Sequence, residues 1–302
     1  MHSLPTIRAP MRDAERMTPA AQAQATIAAR GVRDPVDVAI VLDGRLGSVA
    51  DNLEGAIVIP YAELPGFDCI VGARDGALAF VKHDAAHVAY MLGRAHYHET
   101  GDFAAMATPL ETLALLGTQQ FVLTDLVGSV RADYFPGNLV VVSDHISLGG
   151  ANPLIGQADG GGYVNLTSAY DGKLSHRLKR AGALSGAPLH EGVYMWFSGP
   201  SFETPAEIRM ARTLGADIVG NAIAPEVILC RRLGVNVAAL TVITHFGAGF
   251  SGGRPNYADT IKQAQAGSIP VKRLLRAFLR ARDLERSAVP ERWEPALRSS
   301  TG

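Results

Sequence analysis

The sequence predicts a single α/β domain, and three observations carry that expectation. Short runs rich in Val and Ile, bounded by Gly, Pro or Asp, alternate with longer stretches of helical pattern. Several runs lack any polar alternation, which suits a central sheet covered by helices on both faces. The 302 residues suffice for one substantial core, and neither a linker nor an internal repeat divides them.

Taken in order, a polar leader over residues 1–14 precedes a helix from Thr18 to Arg30, rich in Ala and Gln and stopped by Gly31. Residues 1–30 thus stand ahead of a main domain over 31–282. The expected strands are DVAIVLD (37–43), GAIVIP (55–60), ALAFVK (77–82), HVAYML (87–92), QQFVLTD (119–125), NLVVVSD (138–144), GVYMWFS (192–198), ADIVGN (216–221) and NVAALTVIT (236–244). Helices are expected between them at 107–116, 166–182, 205–214, 225–233 and 258–281. Thr204-Pro205-Ala206-Glu207 is a capping box with proline at the first helical position, and Gly215 ends that helix. Pro225 opens the next, with Arg231 and Arg232 near its end and Gly234 beyond. The last stretch, 283–302, is polar and reads as a frayed tail.

Composition narrows the function. The formal net charge is -1 with acids and bases interspersed, which argues against nucleic-acid or membrane-surface partners, since these are bound through clustered Lys and Arg. The two cysteines, Cys69 and Cys230, sit in or beside apolar runs and form no CxxC, so neither a zinc site nor a redox pair is expected. There is no apolar signal segment behind the first basic residues and no uninterrupted apolar stretch long enough to span a bilayer. A cytoplasmic protein is expected.

Ligands of open α/β sheets gather outside the carboxyl ends of the strands. The segments that follow the expected strands bring Gly44-Arg45-Leu46-Gly47, Arg94-Ala95-His96-Tyr97-His98-Glu99, Leu126-Val127-Gly128-Ser129, Phe202-Glu203, Asn221-Ala222 and His245. Arginine beside histidine and glycine-rich backbone suits a small anion such as phosphate. An aromatic ring with a carboxylate and an amide or imidazole suits a planar heterocycle, stacked on its face and bonded at its edge. Anion plus flat base points to a nucleoside and an oxyanion brought together.

Five stretches resemble the trimeric, low-molecular-mass purine nucleoside phosphorylases, in order, from residue 37 to 281. GRAHYHETG (93–101) stands against GR-x-H-x-Y-E-G, FVLTDLVGSV (121–130) against a TNAAGG-like loop, and SDHISLGGANPLIG (143–156) against DHIN…NPL. EGVYMWFSGPSFETPAEIRMARTLGADIVGNAIAPEVILCRRLG (191–234) and TVITHFGAGFSGG (241–253) carry the most specific match. The resemblance implies a mixed, partly barrel-like sheet flanked by helices, and a homotrimer. It also implies phosphorolysis of a purine nucleoside to free base and (deoxy)ribose 1-phosphate, with inorganic phosphate as co-substrate and no metal or other cofactor. Residue by residue, it gives Arg94, His96 and the amide of Leu126 to phosphate, and Phe202 and Glu203 to the base, with Glu203 accepting N1–H. Each side chain has a structural reading too: an ion pair for Arg94, a satisfied histidine for His96, plain core for Phe202, a helix-start acceptor for Glu203.

The chain also departs from the pattern. Where the family's first glycine-rich loop reads GSGLG, this one reads DGRLG, so Gly44 replaces a phosphate-binding serine and Arg45 a glycine. A second such serine is Ala222, beside Asn221 on the base side, and Arg74 takes the place of a histidine near phosphate. His98 replaces a ribose-contacting tyrosine, Tyr257 a histidine near the ribose 5′-hydroxyl, and His245 the asparagine that bonds the purine's N7 and 6-substituent. A protonated His245 could donate to N7 as a general acid with a pKa near working pH; equally, it could accept from a different base. The expectation is therefore a purine nucleoside phosphorylase with altered base specificity. The alternatives are a phosphorylase or hydrolase of a non-standard nucleoside, or a catalytically weak nucleoside-binding paralogue.

Overall fold

In Val38–Leu42 (β1) every residue is buried, and successive side chains serve opposite cores. Ala39 and Val41 pack with Ile27, Leu110 and Val227, whereas Val38, Ile40 and Leu42 pack with Leu178, Leu274 and Phe278. The first set lies on helices α1 (Pro19–Ala29), α3 (Ala104–Leu115) and α6 (Ile223–Arg232), the second on α4 (Gly172–Ser185) and α7 (Tyr257–Arg280), with the four-residue α2 (Tyr97–Thr100) just ahead of α3. Helices thus cover both faces of one sheet, as the apolar runs predicted. This computed structural model describes residues 17–67, 76–83, 86–156 and 163–280. The expected leader and tail, together with Cys69 and Arg74, lie outside the described residues.

All the expected strands form. Besides β1 they are β2 (Ile57–Pro60), β3 (Ala77–His83), β4 (Ala86–Leu92), β5 (Gln120–Ser129), β6 (Leu139–Ser147), β7 (Leu189–Trp196), β8 (Ile218–Gly220) and β9 (Asn236–Phe246). They make a nine-stranded sheet in the order β2-β3-β4-β1-β5-β8-β7-β6-β9, and β9 pairs back onto β5. That last pairing closes β5, β8, β7, β6 and β9 into a ring, the partly barrel-like element of the expectation.

Four details differ from the sequence reading. The helix expected over 166–182 starts only at Gly172, where the Asp171 side chain caps it by accepting the Leu174 amide at 2.7 Å. Leu126–Ser129, expected as a loop, continues β5, because β8 and β9 both take ladder bonds from it. Helix α6 starts at Ile223, so Pro225 lies inside the first turn, where its missing N–H leaves no intrahelical bond unmade. The strand ends also do not all face one way. β1, β4, β5 and β9 run together, but β8 pairs antiparallel with β5, and β7 and β6 run with β8. The shortness of β8 brings its carboxyl end back to the others: pairing starts at Ser129 and Gly128 and heads toward the middle of β5.

One edge of β5 is shared unevenly. β1 takes Gln120–Leu123, β8 takes Gly128–Ser129, and Thr124–Val127 has neither strand beside it. Such a split is where backbone and side chains can turn to a ligand. Opposite it, the β5–β9 ladder shifts register between Val127 and Gly128, so Val127 pairs with Ile243, Gly128 with His245, and Thr244 is skipped.

Candidate active site

The polar groups around the split begin with Asp43, which follows β1 and is 1% exposed. Its carboxylate accepts the Arg45 amide at 2.9 Å, fixing the first turn of the 3-10 segment Gly44–Ala50. Burial works against ionisation of Asp43, yet the positive charges of Arg45, His96 and Arg94 hold its pKa below the usual carboxylate value. The Arg45 guanidinium lies 3.4 Å from both Asp43 oxygens and donates to the Tyr257 hydroxyl at 2.9 Å. His96 Nε2 is 3.9 Å from Asp43, its Nδ1 is 3.4 Å from Glu99, and its ring stacks on His98 at 5.1 Å. Gly44, Arg45, His96, His98 and Tyr257 are therefore gathered, as expected of a phosphate and ribose side.

Arg94 and Leu126 are already engaged by the protein. The Arg94 side chain is buried, pairs with Glu226 of α6 and donates to the Thr124 carbonyl in the split of β5. It is the ion-pair reading that the structure favours, with a buried rather than a surface pair. Burial pushes Glu226 up to about 7 despite the facing guanidinium. The amide of Leu126, assigned by resemblance to phosphate, donates to Asp125 Oδ1 at 2.8 Å.

Asp125 is a further buried carboxylate, raised by its burial against the pull of Arg94. Its other oxygen accepts the Tyr194 hydroxyl at 2.8 Å, and that hydroxyl accepts the Ala222 amide at 3.0 Å at the start of α6. Gly220 makes room for this chain: a Cβ there would lie 2.6 Å from the Tyr194 hydroxyl and 2.8 Å from Asp125. Neither Asp125, Tyr194, Glu226 nor Asp43 was singled out from sequence. The available signal was a carboxylate inside or just after an apolar run, a costly placement unless partnered.

The residues expected on the base side come from the segment before α5, the turn after β8 and the end of β9. The Thr204–Glu207 capping box starts α5 (Pro205–Thr213) as predicted, leaving Phe202 and Glu203 before the helix. Phe202 is 39% exposed and meets the His245 ring edge-on at 5.3 Å. Burial raises the Glu203 carboxyl above its ordinary value. Gly199, ahead of them, lies against both His98 and Asn221, since a Cβ there would sit 3.1 Å from His98 Nδ1 and from Asn221 Nδ2. Asn221 and His98, expected on the base and ribose sides, are thus neighbours. Arg74 is the candidate that lies outside the described residues.

Of the two readings open for His245, its surroundings favour the acceptor. Burial lowers its pKa to about 4, so at neutral pH the ring is uncharged and is no imidazolium donor. Its Nδ1 contacts Thr244 Oγ1 at 2.9 Å, and Nε2 faces Gly128, where a Cβ would lie 2.8 Å away. As for metals, His96, His98 and Glu99 bring ligand-capable atoms within 4.8 Å of one another, a spacing that a divalent ion could use.

This arrangement, an anion-type cluster beside an aromatic and imidazole cleft on a ring-closed mixed sheet, has relatives. Residues 41–280 match the family model described as the Phosphorylase superfamily. The chain is 34% identical over 247 residues to purine nucleoside phosphorylase 1 of Geobacillus stearothermophilus, spanning 80% of this chain and 90% of that protein. It is 38% identical over 241 residues to the purine nucleoside phosphorylase of Mycobacterium tuberculosis, spanning 79% and 87%. Among solved structures, the Schistosoma mansoni purine nucleoside phosphorylase in complex with adenosine matches with a TM-score of 0.79 at 27% identity, covering 86% of this chain and 95% of that one. The protein belongs to the purine nucleoside phosphorylase family.

Proposed function

We propose that this protein catalyses phosphorolysis of a purine nucleoside to free base and (deoxy)ribose 1-phosphate, with a base specificity that differs from its relatives. The observation that carries the reading is the contact of Phe202, one residue ahead of Glu203 in the chain, with His245, together with the Arg45 and His96 pairs on Asp43. As the glycosidic bond loosens, the sugar becomes cation-like and the base gains negative charge. Groups at the base edge then accelerate the reaction to the extent that their bonds strengthen with that charge. Arg45, His96 and the Gly44 turn would position phosphate at the anomeric carbon, and phosphate is the only co-substrate the reading requires. A cytoplasmic homotrimer belongs to the same reading, supported by the family; no described helix is long and apolar enough to cross a membrane.

One observation favours hydrolysis as the second reading. Asp43, Asp125 and Glu226 are all buried on the phosphate side, and Arg94 is paired with one of them, so the side meant for a dianion is rich in carboxylates. Assaying inosine, guanosine and adenosine with and without phosphate separates the two. Base release that depends on phosphate and yields ribose 1-phosphate is expected; equal release without phosphate makes the protein a hydrolase. In the same assay Glu203→Ala should lower kcat/KM by about 2–4 kcal/mol of transition-state stabilisation. Unchanged turnover would remove Glu203 from the reaction.

A further inference from the structure

The hydrogen-bond polarity of the base cleft is set by a side chain that touches no ligand. Thr244 is the residue skipped by the register shift between β5 and β9, and its hydroxyl lies between two neighbours. One is the Val127 carbonyl at 3.3 Å, and the other is His245 Nδ1 at 2.9 Å. A hydroxyl has one proton to give, and a carbonyl can only accept. Both contacts are hydrogen bonds in just one arrangement: Thr244 donates to Val127, and Nδ1–H of His245 donates to Thr244. That arrangement makes both bonds, whereas a hydroxyl turned to donate to Nδ1 forfeits the bond to Val127. The neutral ring then carries its only proton on Nδ1, and Nε2 is a bare acceptor.

We infer that the nucleobase taken by this cleft is a 6-aminopurine, whose exocyclic amine donates to Nε2 of His245. The inference rests on the reading of Phe202, Glu203 and His245 as the base site. On the edge that combines N7 with the 6-substituent, a 6-oxopurine offers two acceptors, which oppose a bare Nε2. A 6-aminopurine offers one donor there. Gly128 leaves room at this edge of the ring, since a Cβ there would lie 2.8 Å from Nε2. Thr244 is in this scheme a positioning residue that acts through the tautomer of His245.

The test has two independent arms. Calorimetric binding of free adenine and hypoxanthine to the full chain should favour adenine by roughly tenfold or more, about what one mismatched buried hydrogen bond costs. Nitrogen-15 spectra of the imidazoles should show His245 protonated at Nδ1. In Thr244→Val, which keeps the shape and removes the hydroxyl, the adenine preference should shrink and the Nε2–H tautomer should rise. Hypoxanthine binding as tightly as adenine, or an Nε2–H tautomer in the unmodified protein, overturns the proposal. Turnover of adenosine and inosine with phosphate separates this from the broader reading. Adenine preference without turnover leaves the proposal standing and removes phosphorolysis. Inosine turnover with hypoxanthine preference does the reverse. If neither base binds, both fall.

Discussion

His245 and Glu226 titrate in opposite senses, and stability should record both. In His245 the folded-state pKa is depressed to about 4 from an ordinary 6.5, so the folded form resists protonation. Its contribution is fully present above pH 6.5 and is lost as pH falls toward 4. In Glu226 the pKa is raised from 4.5 to about 7, so its contribution is present below 4.5 and is lost as pH rises toward 7. Denaturant unfolding across this range should show His245→Gln flattening the acid-side loss relative to the unmodified protein. An acid limb that is unchanged by the substitution would mean that the imidazole is solvated in the folded state. Residue types at the base side were legible in the sequence because Phe202 and Glu203 stand outside a helix whose capping box is written in four letters. The charge state of His245 was not legible, since it depends on burial and on a hydroxyl aligned by a ladder irregularity.

At the scale of elements, β5 determines what the site can be. Its first residues hold β1, its last hold β8, and its far edge holds β9 throughout. A run of Val and Leu announced a strand but not where it would end, because Leu126–Ser129 combines small and apolar residues that suit either a turn or a ladder. Strand direction was likewise hidden: an apolar run of this length reads the same in either sense, and only the pairing of β8 against Ser129 decides it. Gly128 is the point of greatest sensitivity. Gly128→Ala would place a methyl 2.8 Å from His245 Nε2 and 3.1 Å from Val219, so either the ring or the strand must move. A cost of about 1–3 kcal/mol in stability is expected from such overpacking. A drop in kcat/KM for adenosine should accompany it, and full retention of both would show that the imbalance is absorbed elsewhere.

For the whole molecule, the ring and the open arm of the sheet are not separate bodies, because both are hydrogen-bonded to β5. Heating should therefore give one cooperative transition, with calorimetric and van't Hoff enthalpies in agreement. Glu226→Ala is the sharpest probe of that unity. It strips the carboxylate from a buried Arg94 and should cost about 3–5 kcal/mol, read as a lowered denaturant midpoint. A midpoint that does not move would mean that Arg94 finds another partner. The gap in β5 between β1 and β8 is filled by the Arg94 side chain at the Thr124 carbonyl and the Tyr194 side chain at Asp125, while the backbone amide of Asp43 donates to the Thr124 hydroxyl; each comes from a different stretch of chain. Those side chains finish the sheet as well as shaping the cleft. On the side proposed for phosphate, catalytic change and loss of structure are consequently entangled, whereas Phe202 and Glu203, ahead of α5, can change without disturbing those contacts.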